Sequence, residues 1–402
     1  MKTLQLAWRY LWARPLATVL NLLLLTLGLA AITLVLLTRA QLDRAFERDL
    51  AGIDAVVGAK GSPLQLILSG VFHLDVPPGN IPLRAVRALE QDARVAQLIP
   101  LSLGDSLRGF RIVGTTPDYP AHYGATLARG RWWAQPMEAV LGMQVAQATG
   151  LKPGDSFAGA HGLGEGGSAH AGHPYQVVGV LAPCACVLDR LLLTATESVW
   201  EVHEVAHGGA HDHEETGPDD AAREITVALV RYRSPLAAAS FPRFVNSSTN
   251  LQAAAPALEI ARLLRMVGVG ADVLRGFAAV LLLTAGLSVF IALWSAVRER
   301  RADLALLRML GTPPRRVAAL LLAEALWLAV LATALGLAAG HGLTGLLGYS
   351  LAAEQSLPLT GWLWLALELW VPALALMVAA LAALLPALEA YRVDAAQLLS
   401  TR

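Results

Sequence analysis

Charge is scarce in this chain. Asp, Glu, Lys and Arg make up 15% of its 402 residues, where soluble domains carry roughly 25%. That shortage argues against an ordinary soluble enzyme. The 31 basic residues are balanced by 31 acidic ones, so there is no overall positive field of the kind that draws nucleic acid. Cysteine is nearly missing: Cys184 and Cys186 are the only two, and two cannot build a disulfide framework. No G-x-x-x-x-G-K-[ST] stretch occurs, which leaves the chain without a loop to cradle nucleotide phosphates. Spacing suggests neither a serine–histidine–aspartate set nor a catalytic pair of carboxylates.

Apolar residues fill the space instead, at 55% of the chain with a mean hydropathy of +0.52. They concentrate at the two ends. A helix crossing a bilayer core of about 30 Å needs roughly 20 apolar residues. Leu16–Thr38 and Gly276–Val297 meet that length without a charge. A third run, 317–348, is interrupted by Glu324 and His341, and a fourth, 362–388, by Glu368, Pro372 and Pro386. The expected fold is a membrane protein with four transmembrane helices and a large α+β domain, 39–275, between the first two. The first run is too long for the apolar part of a cleaved signal peptide, and no small-residue cleavage site follows it. It is read as an uncleaved anchor.

Basic residues set the expected orientation. Lys2, Arg9 and Arg14 precede the first run, and Arg298, Arg300, Arg301, Arg308, Arg315 and Arg316 lie in the 298–316 segment. Arg392 and Arg402 lie in the 389–402 tail, whereas 349–361 has neither Lys nor Arg. Both termini and 298–316 are therefore expected in the cytoplasm and 39–275 outside, in the periplasm if the cell has two membranes. In the leader, 1–15, Leu4, Trp8, Leu11 and Trp12 share one helical face, the pattern of a helix lying in the interface against lipid. Glu324, His341 and Glu368 are ionisable groups within spans, hence functional candidates.

In the external segment, Arg111–Gly114, Gln176–Leu181 and Ile225–Tyr232 read as strands. Leu83–Asp92 and Glu138–Thr149 read as helices, and 252–275 as an amphipathic helix running into the second span. Arg39–Leu50 continues the first span. Helices one and two thus extend outward as stalks. Trp132-Trp133 is either core or a contact surface.

Histidine is the unusual ingredient. His203, His207, His211 and His213 stand together with Asp212 and Glu214, a nitrogen and oxygen ligand set that suits Zn²⁺. His203 and His207 fall on one helical face. The alternative is a polar loop that binds metal adventitiously. His161, His170 and His173 form a second group in a glycine-rich stretch. Cys184-Ala-Cys186 adds soft ligands, a redox pair or two small buried residues; a bridge across one residue is expected to be strained. Protease activity is not expected.

The stretch Arg298-Glu-Arg-Arg-Ala-Asp-Leu-Ala-Leu-Leu-Arg-Met-Leu-Gly-Thr312, followed by Pro313-Pro314, resembles the cytoplasmic loop of the FtsX-like permease family of ABC transporters. Leu385-Pro-Ala-Leu-Glu-Ala-Tyr-Arg-Val-Asp-Ala-Ala-Gln-Leu-Leu399 is similar to that family's closing signature, with Asp394-Ala395 where proline is usual. Val140-Leu-Gly-Met-Gln-Val-Ala-Gln-Ala-Thr-Gly-Leu-Lys-Pro-Gly-Asp155 and Val177-Val-Gly-Val-Leu181, leading to Asp189-Arg190, are similar to phrases of its external core domain. Motif order and topology agree over most of the chain. The nearest architecture is that of macrolide-exporter and lipoprotein-release permeases, the mechanotransmission class.

The resemblance implies an ATPase-coupling helix formed by Arg298, Glu299, Arg301, Asp303, Leu304, Leu307, Arg308, Leu310 and Gly311. It implies a separate ABC ATPase holding ATP and Mg²⁺, with this chain not itself an enzyme, and a homodimer or a related second permease. Cytoplasmic hydrolysis would move the external domain to export or extract a lipoprotein, peptide or hydrophobic compound, with a lipoprotein or adaptor as external partner and a zinc link through the histidines. Two alternatives remain at this stage: a signalling permease that activates a periplasmic hydrolase, and a zinc-handling membrane protein.

Overall fold

A computed structural model of the protein describes residues 3–162, 172–206, 223–299, 309, 312–353 and 359–392. In chain order the elements are α1 (Thr3–Leu11), α2 (Pro15–Leu50), β1 (Ala55–Ala59), α3 (Pro63–Gly70), β2 (Ile81–Pro82), α4 (Leu83–Glu90), β3 (Val95–Leu107), β4 (Phe110–Thr115) and α5 (Asp118–His122). Next come β5 (Leu127–Gly130), β6 (Glu138–Leu141), α6 (Met143–Thr149), β7 (Ser156–Phe157), β8 (Ala160–His161), β9 (Tyr175–Leu181), a 3-10 turn (Val187–Arg190), β10 (Leu192–Ala195) and α7 (Thr196–Ala206). The rest are β11 (Glu224–Ile225), β12 (Val227–Tyr232), α8 (Ala237–Ser248), β13 (Leu251–Ala254), α9 (Pro256–Glu299), α10 (Pro314–Ala353), a second 3-10 turn (Ala366–Leu369) and α11 (Trp370–Arg392). They form two units: Met1–Leu42 with Met266–Arg402, and Asp43–Arg265.

The first unit is helical. Among the described residues, four segments are long and apolar enough to cross a membrane: Pro15–Leu50, Pro256–Glu299, Pro314–Leu351 and Ala366–Tyr391. With the mixed α/β unit inserted after the first, this is a four-helix membrane protein carrying one large domain. Its interior combines Leu25 and Leu29 of α2, Val289 and Leu293 of α9, Leu321, Ala325 and Leu328 of α10, and Ala375, Ala379 and Ala383 of α11. Lipid tails are as apolar as leucine, so helices gain by approaching closely, and small residues permit it. One close seam runs between α10 and α2. A Cβ added to Gly336 would stand 2.7 Å from Leu29 Cβ, and one on Gly340 would stand 2.5 Å from Thr33 Cβ. These glycines are four residues apart on one face of α10.

One expectation changes here. Residues 359–365 are not helical, and the fourth helix begins only after the turn at Ala366–Leu369. Pro372 therefore falls in the first turn of α11, where proline's missing N–H costs no helical bond. In α1 the packed residues are Ala7, with Leu320 and Ala323 of α10, together with Leu6 and Tyr10. Leu11 is also buried, whereas Leu4, Trp8 and Trp12 stay exposed. The face expected against lipid thus keeps Leu4, Trp8 and Trp12 exposed, while α1 packs on α10 through Leu6, Ala7 and Tyr10.

The second unit is built on one mixed sheet, ordered β13-β1-β12-β3-β4-β10-β6-β9-β5, with β7 paired to β9 and β8 to β3. β10 is parallel to β4 and β6 to β9; the other pairs are antiparallel. Side chains alternate across it, as a strand's period of two requires. Val56, Ile99, Leu101, Val113, Leu193 and Leu229 enter one core with α3 and Phe72. Ala55, Val57, Ala228 and Val230 enter another beneath α4 and α8. Glu138–Leu141, expected as the start of a helix, is instead the strand β6 between β10 and β9. Gly142 separates it from α6. Likewise residues 252–254 belong to β13, and the helix starts at Pro256.

Candidate functional site

Most of the residues expected to couple to an ATPase, namely Arg301, Asp303, Leu304, Leu307, Arg308, Leu310 and Gly311, lie outside the described residues. Arg298 and Glu299 end α9, and Glu299 forms an ion pair with Arg14. At this end of the helical unit, α1 is fastened to its neighbours. Trp327 Nε1 donates to the Leu4 carbonyl (3.2 Å) and the Trp8 and Trp327 rings meet edge-on. Thr18 Oγ1 donates to the Leu11 carbonyl. Glu324 is buried here and lines a cavity of about 40 Å³ with Tyr10, Arg14, Thr18 and Asn21.

The other two ionisable groups of the spans meet at the opposite end. His341 Nε2 lies 2.9 Å from Glu368 Oε2, and His341 Nδ1 lies 2.7 Å from the Gly361 carbonyl. A carbonyl only accepts, so Nδ1 donates to Gly361 and Nε2 faces the Glu368 carboxyl. Glu368 Oε1 accepts from Leu365 N–H at 2.9 Å, and the Trp364 ring lies against the imidazole. Gln41 of α2 closes the arrangement with two bonds to Thr360, donating to its carbonyl (3.0 Å) and accepting from its N–H (2.8 Å). Residues 359–365 are thereby tied to α2, α10 and the Ala366–Leu369 turn through buried polar groups.

In the external unit a second polar joint forms around the end of α2. Asp189 accepts from the N–H groups of Cys184 (3.1 Å) and Ala185 (2.7 Å). Asp49 Oδ1 accepts from Val187 N–H at 3.0 Å, and the Asp49 carbonyl accepts from Tyr123 hydroxyl at 2.9 Å. Arg48 donates to the Ala185 carbonyl. A Cβ on Gly142 would collide with the carbonyl oxygens of Leu188 and Asp189. The glycine of the Val140-Leu-Gly142 phrase and the Asp189-Arg190 pair, 47 positions apart in the numbering, are therefore in contact. Beneath them burial holds His73 well below its ordinary pKa, helped by Arg111 and Arg190, and burial lowers Arg111 to about 10. His73 shares a hydrogen bond with the Tyr119 hydroxyl at 2.9 Å.

Cys184 and Cys186 form a disulfide, so of the three readings open from sequence, soft metal ligation drops out. Ala185 takes a φ of 53°, folding the chain back so that the flanking Cα atoms come within 5.1 Å, inside the ordinary range for a bridge. Of the histidine cluster, His203 belongs to α7, while His207, His211, Asp212, His213 and Glu214 lie outside the described residues, as does His170. His161 pairs with Asp105 at 3.1 Å. Among the described residues no three His, Cys, Asp or Glu gather to hold a metal. In sequence, His203-Glu-Val-Ala-His207 has the H-E-x-x-H spacing of a zinc motif. Trp133 packs against the core and Trp132 is 37% exposed, so the pair divides between the two roles considered for it. Their turn is held by Glu138, which receives a forked contact from Arg131 and bonds from Ala134 and Gln135 N–H. The Arg131 bond, then that of Ala134, brings the Glu138 carboxyl down to about 2.

The family described as FtsX-like permease C-terminal matches residues 275–395, and that described as MacB-like periplasmic core domain matches residues 18–185. Among solved structures, the periplasmic region of MacB from Actinobacillus actinomycetemcomitans is similar at 14% identity, with 53% of this chain and 95% of that one covered and a TM-score of 0.35. The extracellular domain of the noncanonic ABC-type transporter YknZ from Gram-positive bacteria is similar at 12% identity, with 50% and 98% covered and a TM-score of 0.31. No curated protein matches the chain.

Proposed function

We propose, from the matches to the FtsX-like permease C-terminal model over residues 275–395 and to the MacB-like periplasmic core domain over residues 18–185, that the chain is the membrane subunit of an ABC system whose ATP is hydrolysed by a separate polypeptide. What carries the reading is the order of the two matched segments. Residues 298–316 are the coupling segment. Leu304, Leu307 and Leu310 with Gly311 form the face that enters a groove on the ATPase, Arg298, Arg300 and Arg301 sit at the membrane exit beside anionic lipid or acidic groups of the partner, and Gly311-Thr-Pro-Pro314 stops the helix. Both termini lie in the cytoplasm, as the basic residues favour. The two copies move together when the ATPase dimer closes.

Motion passes outward through α2 and α9, each a single helix with residues in both units. The work done outside is extraction or export of a lipoprotein, peptide or hydrophobic compound, with the histidine tract as a Zn²⁺-responsive element. The test is ATP hydrolysis by the co-purified complex in nanodiscs. Leu307→Arg is expected to lower hydrolysis at least tenfold by blocking docking. Failure to isolate any ATPase with the chain overturns the reading. Deleting 203–213 is expected to abolish a Zn²⁺ response, and an identical response in the deletion removes zinc from the proposal.

A further inference from the structure

The Cys184–Cys186 bridge stands where the external unit grips the end of α2, and coupling to an ATPase makes no use of it. Its position is hard to explain as a staple. A cross-link stabilises a fold mainly by shortening the loops open to the unfolded chain, and this one spans a single residue. What it does constrain is local. It holds Ala185 at φ 53°, a conformation an alanine seldom adopts. Three contacts depend on that turn: the Cys184 and Ala185 N–H groups on Asp189, and the Ala185 carbonyl on Arg48. Val187 N–H, bonded to Asp49, follows immediately. The bridge is also reachable. Pro183 and Ala185 are exposed and Cys184 is half-buried, while Cys186 is buried.

We propose that Cys184–Cys186 is a redox site that exchanges with a dithiol reductant outside the cytoplasm, and that its state sets whether the 184–190 loop holds the end of α2. A thiolate of the dithiol attacks Cys184 Sγ, the more accessible sulfur, and the bond to Cys186 Sγ breaks. Cys186 leaves as a thiolate and takes up a proton. The second thiol of the reductant then attacks the mixed disulfide on its own sulfur, and Cys184 leaves and is protonated. Two electrons and two protons pass from dithiol to bridge, leaving two thiols here and one disulfide on the reductant. With the ring open, Ala185 returns to an ordinary backbone conformation, and Arg48 and Asp189 lose their partners on the loop.

The test needs only the full chain in nanodiscs, so its failure is separate from any failure of the ATPase reading. The protein is equilibrated in oxidised and reduced dithiothreitol, the cysteines are trapped by alkylation, and amide hydrogen exchange is followed. Both cysteines are expected to alkylate together without denaturant. Protection at Cys184, Ala185 and Val187 is expected to fall at least tenfold, while Val56 and Leu229 in the sheet stay protected. Cys184→Ser/Cys186→Ser is expected to show the reduced pattern under oxidising conditions. Alkylation only after unfolding, unchanged protection at 184–187, or equal loss in the sheet would each overturn the proposal.

Discussion

Gly340→Ala is the most demanding test of how the helices pack. The new methyl group would lie 2.5 Å from Thr33 Cβ and 2.7 Å from Thr33 Cγ2, whereas carbons rest about 3.5–4.0 Å apart. Thr33 cannot readily turn away, because it is fully buried and its hydroxyl donates to the Leu29 carbonyl at 2.9 Å. The α2 and α10 backbones must separate by roughly an ångström, and overpacking of this kind costs about 1–3 kcal/mol. Alanine's better helix propensity returns up to about 1 kcal/mol. Gly342 provides the control: it lies on the same helix, but no atom comes within 4 Å of a Cβ built there. Gly342→Ala should be neutral or stabilise by up to about 1 kcal/mol, so the two variants should differ by about 1–3 kcal/mol. The assay is unfolding of the purified chain by SDS in mixed micelles, read by tryptophan fluorescence. Thr33→Gly should relieve Gly340→Ala with a coupling of at least about 1 kcal/mol. Equal tolerance at 340 and 342, or no coupling to position 33, would refute the close α2–α10 seam.

Glu368→Leu and His341→Leu should each destabilise the helical unit by about 3–5 kcal/mol, since each leaves its partner's buried polar group unmatched; the double variant should recover part of that in the same SDS titration. Glu138 has a carboxyl held near 2 in the folded chain against an ordinary 4.5, so its contribution is present above pH 4.5 and lost as pH falls toward 2. Glu138→Gln should flatten acid unfolding in that window, followed by hydrogen exchange of β6 and β9. Gly142→Ala places a methyl against two carbonyl oxygens and should reduce protection of 184–190 amides in either redox state.

The four apolar runs were legible because length and lack of charge are enough to mark a membrane helix. Strands such as Tyr175–Leu181 showed through alternation. Where reading failed, the deciding interaction was distant in sequence. Glu138–Leu141 has helix-forming letters, and becomes a strand because β10 and β9 offer bonds on both sides. Trp362 looked like the start of a span until Gln41 and His341 drew residues 360 and 361 into a turn. Glu324, His341 and Glu368 were picked out singly; that two of them meet depends on a chain reversal no spacing rule describes. Gly336 and Gly340 carried a readable signal, the small-x-x-x-small spacing, which marks close helix contact. The bridge between Cys184 and Cys186 was discounted because spacing alone does not reveal that Ala185 turns back. Most of the coupling segment and the histidine tract rest on family resemblance and composition.

The strand that follows α2 and the strand that precedes α9 are hydrogen-bonded neighbours, with Val56 directly opposite Ala254. The chain thus enters and leaves the external unit at almost the same place. A domain whose ends meet can be inserted into a host loop without disturbing the host on either side. For this protein the consequence is modularity: the 55–254 segment can be exchanged for that of another permease, or replaced by a short turn, while the helical frame keeps its connectivity. Specificity for whatever is handled outside can then diverge rapidly under selection, independently of the machinery within the membrane.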